Sequence, residues 1–248
     1  MAEKAPTPAR FEGELFTTTH WSVVLNAQTH GTPQAKEALA QLCQTYWYPV
    51  YAYVCKLGHG HHQAQDLTQG YFLRLLDQQW LDGLAHEKGR LRSFLVVSIK
   101  NFVANEWDRE RALKRGGGQQ ILSLDEMDVE TRYKSEPTDN LTPEKVLDQC
   151  WARALLERAL SRLRGEMVAA GKSDLFEALK PCLEGEPAET YAQIGARLSP
   201  PRSEGDVRTN AYRMRQRYPE LVREEIAHTV SCKDDIEDEL QSLWAALS

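Results

Sequence analysis

Ten basic and amide side chains recur between residues 88 and 115, and nine of them form a candidate set beside Lys114: Lys88, Arg90, Arg92, Lys100, Asn101, Asn105, Arg109, Arg111 and Arg115. Cations neutralise phosphate and amides read base edges, so the chemistry open to such a row is noncovalent recognition of nucleic acid. Eight bases stand against three acids in this stretch, inside a chain of 248 residues whose formal net charge is -6. Positive charge confined to one face can bind DNA even when the total is negative. A second set, Arg208, Thr209, Tyr212, Arg213, Gln216 and Arg217, lies near the C-terminal end. Turned at 100° per residue, all of these but Arg208 point away from the apolar stripe Val207, Ala211, Met214 and Tyr218. Such side chains suit major-groove edges and phosphates.

Covalent and metal chemistry find less support. Cys55, His59, His61 and His62 are close enough to suggest zinc, but "LGHGHH" also reads as an exposed turn between helices, and no metal is assigned. Carboxylates are plentiful, yet none sits in the Gly-rich or His-bearing context that acid–base catalysis uses. Gly116, Gly117 and Gly118 follow no strand and precede no Gly-Lys-Ser/Thr, so they read as a helix exit and not as a phosphate cradle. The expectation is a protein that is not an enzyme and carries no cofactor.

Helices must position these groups, and the fold class expected is all-α. Leu39, Leu42, Cys43, Tyr46, Trp47, Val50, Tyr53, Val54 and Leu57 follow helical spacing from Lys36 to Leu57, with a bend expected at Pro49. A second helix is predicted over residues 63–79, burying Leu67, Tyr71 and Leu75, and a third over 90–114 with Leu91, Leu95, Ile99, Phe102 and Val103 inside. Trp107, beside Val103, is expected to be buried. Residues 123–148 hold eight acids against three bases, with Pro137 and Pro143 read as interrupting any helix, so this stretch is expected to be an acidic linker. Helical pattern resumes at Trp151, Leu155, Ala159, Leu163 and Met167, followed by a short helix over 174–183. Tyr191, Ile194, Gly195 and Leu198, a break at Pro200-Pro201, and a second helix capped by Ser203 make a predicted helix-turn-helix. Residues 220–239 hold eight acids and two bases, and a last stripe of Ile236, Leu240, Leu243, Trp244 and Leu247 calls for a covering surface. Packing within the fold is the first expectation for that helix and masking of the preceding reader helix the second.

Three stretches resemble, in order, modules of the bacterial sigma-70 superfamily, in its small extracytoplasmic-function type. "AQDLTQGYFLRLLD" (64–77) is similar to the helix that docks on the RNA polymerase clamp, "GRLRSFLVVSIKNFVANEWDRERALKRGGG" (89–118) to the segment that melts and reads the -10 element, and "ETYAQIGARLSPPRSEGDVRTNAYRMRQRY" (189–218) to the -35 reader. "FTTTHWSVVLNAQ" (16–28) and "LVREEIAHTV" (221–230) match a subgroup of that family. The resemblance implies a transcription initiation factor that contacts polymerase core through Asp66, Gln69, Phe72 and Leu75, and promoter DNA through the two basic sets. It implies that residues 84–93 help hold a base flipped from the -10 duplex. The implied partners are polymerase core (clamp and flap), promoter DNA, and an anti-sigma factor or a Ser/Thr kinase. A helix-turn-helix regulator that ignores polymerase is the alternative.

The expected organisation is an N-terminal extension (1–34), a core-binding and -10 module (35–116), a flexible acidic linker (117–146), a -35 module (147–219) and an acidic helical extension (220–248). Departures from the family are visible. The clamp helix begins Gln63-Ala64-Gln65-Asp66 where Asp-Ala-Glu-Asp is usual, leaving one carboxylate of three. Thr68 lies beside the gap, and phosphorylation there would restore about 1.5–2 negative charges, although an ordinary helix-surface residue is the plainer reading. The SPPR turn between the reader helices is longer than the family pattern. No apolar run reaches membrane-spanning length and the start lacks signal-peptide form, so a cytoplasmic protein without membrane contact is expected. Five scattered cysteines without a CxxC pair read as reduced thiols.

Overall fold

The structure is a computed structural model and describes residues 33–75, 91–112, 130, 132–133, 140–185, 189–230 and 234–248. Among the described residues every regular element is a helix. None of these helices is long and apolar enough to cross a membrane.

Helix α1 (Pro33–Lys56) lies at the centre. Val50, Tyr51, Ala52, Tyr53 and Val54 are all fully buried, which one helix face cannot achieve alone; α2 (His61–Leu75) covers one side and α4 (Pro143–Ala169) another. The helix continues through Pro49. It ends at Gly58, whose φ of 98° closes the last turn and is readily available only to glycine. Helix α3 (Leu91–Ala112) packs on α2, with the Tyr71 hydroxyl 2.6 Å from Ser98 Oγ and Phe102 against Gly70. Phe94, Leu95, Ser98, Ile99, Phe102 and Val103 form its buried face.

Helix α4 starts where the sequence pattern suggested a linker. Thr142 Oγ1 accepts the Lys145 amide at 3.3 Å, Pro143 occupies the first turn and Glu144 faces the positive end of the helix dipole. Proline interrupts a helix interior but suits its first turn, so residues 143–146 belong to the helix. Leu147, Trp151, Leu155, Ala159 and Leu163 then run along one buried stripe, and Trp151 Nε1 donates to the Tyr46 hydroxyl at 3.0 Å.

Short helices α5 (Ser173–Leu179) and α6 (Pro181–Glu184) lead to α7 (Tyr191–Arg197) and α8 (Glu204–Ala227), and α9 (Asp235–Leu247) closes the chain. Helix α8 runs on through Pro219, well beyond the reader segment expected to stop near Tyr218. One apolar cluster extends from Tyr46 on α1 to Leu243 on α9, so the helices expected in two modules share a continuous core. Helix α4 makes this possible by packing against α1, α8 and α9.

Candidate nucleic-acid interface

Helices α7 and α8 are locally well specified. Thr190 and Gln193 form a reciprocal capping box at the start of α7, and Ser203 Oγ accepts the Asp206 amide at the start of α8. The two helices meet at Gly195. A Cβ there would lie 2.3 Å from the Arg202 carbonyl oxygen, while the Arg202 amide donates to the Gly195 carbonyl at 3.0 Å. Only a residue without a side chain admits that approach.

Val207, Asn210, Ala211 and Met214 point inward on α8, and Arg208, Thr209, Tyr212, Arg213 and Gln216 are exposed. Tyr212 is 64% exposed, far more than a tyrosine with a packing role. Among the described residues Arg213 has no carboxylate partner. Arg208 pairs with Glu204 at 2.5 Å, an exposed i,i+4 pair that a phosphate can displace at little cost. Thr209 Oγ1 donates to the Gly205 carbonyl at 2.8 Å.

Arg217 departs from the expectation that it faces DNA. Its guanidinium binds Glu166 on α4 at 2.8 Å, and Glu220 and Glu224 on its own helix at 3.0 Å each. Hydrogen bonding to Glu166 leads the contributions that hold its pKa above the ordinary arginine range. It belongs to the joint between α4 and α8, which Glu225 extends: that carboxylate is 4% exposed and takes Arg158 at 2.8 Å and Arg162 at 2.9 Å. Burial pushes the Glu225 pKa up, but the hydrogen bond and charge of Arg158, followed by those of Arg162, bring it below the usual glutamate value. Arg215, unremarked in the sequence, pins α8 to the Cys182 carbonyl and the Tyr191 hydroxyl.

On α3, Lys100, Asn101 and Asn105 are exposed on one face, as expected. Lys88, Arg90 and Arg115, the Gly116–118 exit, and the side chains of Trp107, Arg109 and Arg111 lie outside the described residues, as do most of the residues assigned to the acidic linker. Arg92 is a correction. Its side chain is 15% exposed and bridges Asp148 at 2.5 Å and the fully buried Glu239 at 3.2 Å, with its guanidinium 4.8 Å from the Trp151 ring centre. Burial draws its pKa down, and the bonds and charges of Glu239 and then Asp148 reverse this, for a net rise.

The expected polymerase-docking set also needs revision. Asp66 is exposed and Gln69 half-buried, but Phe72 and Leu75 are buried in the core between α1, α2 and α3. The exposed apolar neighbour is Leu73, two turns from Asp66 on the same face. Thr68 is fully buried and its hydroxyl donates to the Ala64 carbonyl at 2.7 Å, so a kinase has no access to it in this fold. Packing against both α1 and α3 makes the buried arc of α2 wider than one stripe.

His61 stacks near Tyr51, with Nδ1 2.7 Å from the Tyr51 hydroxyl and 3.8 Å from Cys55 Sγ. Burial pushes the Cys55 thiol up to about 11, so it is not a thiolate at neutral pH. Among the described residues no three His, Cys, Asp or Glu side chains are grouped to hold a metal ion. On α9, Leu243 is buried and Ile236 and Leu240 are half-buried against the core, while Trp244 and Leu247, expected on the same covered stripe, are exposed. Comparison with protein-family models, with characterised proteins and with solved structures finds no match to this chain.

Proposed function

We propose that the chain is a promoter-recognition factor of the extracytoplasmic-function sigma type, binding RNA polymerase core and directing it to DNA. The observation that carries this reading is the α7–turn–α8 unit. Its second helix fixes one face in the core and projects Arg208, Thr209, Tyr212, Arg213 and Gln216 from the other. A rigid helix presenting adjacent cationic, amide and aromatic groups fits a major groove, where guanidinium and amide groups discriminate base edges and bind phosphate.

Lys100, Asn101 and Asn105 supply a second exposed surface for the -10 strand, and Asp66 with Leu73 supplies a charged and apolar patch for the polymerase clamp. The role needs binding energy and no bond-making by the chain itself. Its place of action is the cytoplasm, with no membrane partner.

Transcription with purified bacterial core polymerase on fragments of the source genome tests the proposal. The expected result is a small set of discrete start sites that appear only when the chain is added and disappear with Arg213→Ala. Duplex binding with no effect on core-dependent start sites would favour the helix-turn-helix regulator instead.

A further inference from the structure

Two exposed surfaces carry the proposed reading groups, Lys100 and Asn101 on α3 and Tyr212 and Arg213 on α8, and both helices are tied to α4. Arg92, in the first turn of α3, donates to Asp148, and Arg217 of α8 donates to Glu166. Those two points on α4 are 18 residues apart, about 27 Å of helix rise. Lys100 and Asn101 lie less than three turns from Arg92, and Arg213 about one turn from Arg217. Promoter elements placed 35 and 10 base pairs before a start site are separated by about 85 Å of duplex, and a duplex of that length is stiff. The bundle therefore holds its two reading surfaces well short of the spacing at which both elements are met together.

A seam between α1 and α4 keeps them there. Trp151 Nε1 donates to the Tyr46 hydroxyl at 3.0 Å and Arg158 Nη1 to Thr45 Oγ1 at 2.9 Å, while Ala52 of α1 shares a buried cluster with Val146 and Cys150 of α4. Arg132 lies across the same seam, its guanidinium 4.1 Å from the centre of the Tyr48 ring on α1 and 3.3 Å from Glu157 on α4. Residues 113–142 join α3 to α4, and 30 residues of chain reach up to about 100 Å when extended, so connectivity permits the halves to part. We propose that the bundle is the closed form of the factor and that engaging both promoter elements parts α1–α3 from α4–α9 along this seam. The inference rests on the promoter-factor reading above and assigns its regulation: the chain alone keeps its two surfaces at a spacing that promoter duplex does not offer.

Two native cysteines report on the seam without any substitution. Cys150 is buried in it, whereas Cys182 is buried on α6 within the α4–α9 half, where Arg215 of α8 holds its carbonyl. The full chain, alone and in complex with purified core polymerase on a promoter fragment taken from its mapped start sites, is pulsed with N-ethylmaleimide, and each cysteine is followed by peptide mass spectrometry. Cys150 labelling should accelerate about tenfold or more in the complex with Cys182 unchanged, as local opening requires. Arg132→Gln, which removes one stitch across the seam, should raise Cys150 labelling of the free chain several-fold and raise transcript yield at limiting chain concentration. Arg164→Gln, the same change at an exposed pair between α4 and α5, should do neither. Cys150 labelling that changes neither in the complex nor with Arg132→Gln, or Cys150 and Cys182 accelerating together, would overturn the closed form while leaving promoter recognition intact. Failure to form a core complex or to yield discrete start sites would overturn the promoter reading, and the closed form with it.

Discussion

Arg213 on α8 and Arg92 on α3 are both arginines on helices that the sequence places against DNA, yet one stands in solvent and the other is sealed between two carboxylates and a tryptophan ring. The difference lies in what each helix packs against. Helix α8 fixes its inner face with apolar residues, and the ion pairs that join it to α4 lie in its far half, where Arg217, Glu224 and Glu225 meet Glu166, Arg162 and Arg158. Its first half is thereby held firmly and left uncovered. Helix α3 begins at the junction of three elements, and its first arginine serves that junction. A cation on a predicted exposed arc is a candidate for recognition only when no acidic helix returns to cover it.

The largest expected effect comes from breaking the sealed side. Arg92→Gln takes the Arg92 guanidinium away from the buried Glu239 and should cost about 3–5 kcal/mol of stability, the range for removing one partner of a buried pair, read from urea unfolding. DNA affinity should change little, because the Arg92 guanidinium is held inside that junction and away from the exposed face of α3. Next is Gly195→Ala, whose Cβ would meet backbone at the α7–α8 turn. A loss of about 1–3 kcal/mol is expected, as for other overpacked sites, together with weaker duplex binding; unchanged thermal unfolding would show that the turn relaxes freely.

Arg213→Ala mirrors Arg92→Gln. It should leave unfolding untouched and weaken binding to its preferred duplex by about 1–3 kcal/mol, if the guanidinium makes a paired base contact. Equal losses of stability in both variants would erase the distinction between the two arginines.

The smallest effect concerns acid. Burial lowers the pKa of His228, so the folded state resists its protonation, and Glu225 is lowered because Arg158 and Arg162 hold it ionised. Both groups bind protons more weakly when folded, so both contribute stability above their unfolded values that is lost as pH falls. Unfolding free energy should begin to decline below the His228 reference value of 6.5 and decline further below the Glu225 reference of 4.5. His228→Gln should flatten the first decline and leave the second.

The parts of this fold that sequence made readable are those fixed by neighbours a few residues away. The Ser203 cap and the apolar spacing of α3, α4 and α8 lie within single helices, and the structure has them as expected. Pro143 misled because the same residue that breaks a helix interior opens a first turn, and the Thr142 cap beside it was the deciding signal. Thr68 and Phe72 carry outward expectations because periodicity gives the direction of one buried stripe and not its width, whereas Leu75, which the spacing places inside, is buried and only its docking role from the resemblance is displaced. The Arg92–Asp148–Glu239 junction joins residues 56 and 147 positions apart, a distance over which no local pattern carries information.

Titration of the fluorescently labelled chain with purified bacterial core polymerase bears most directly on the promoter-factor reading. A saturable one-to-one complex, weakened by Asp66→Lys on the exposed face of α2, is the predicted result. A chain that binds duplex DNA yet forms no complex with core at any accessible concentration would contradict it.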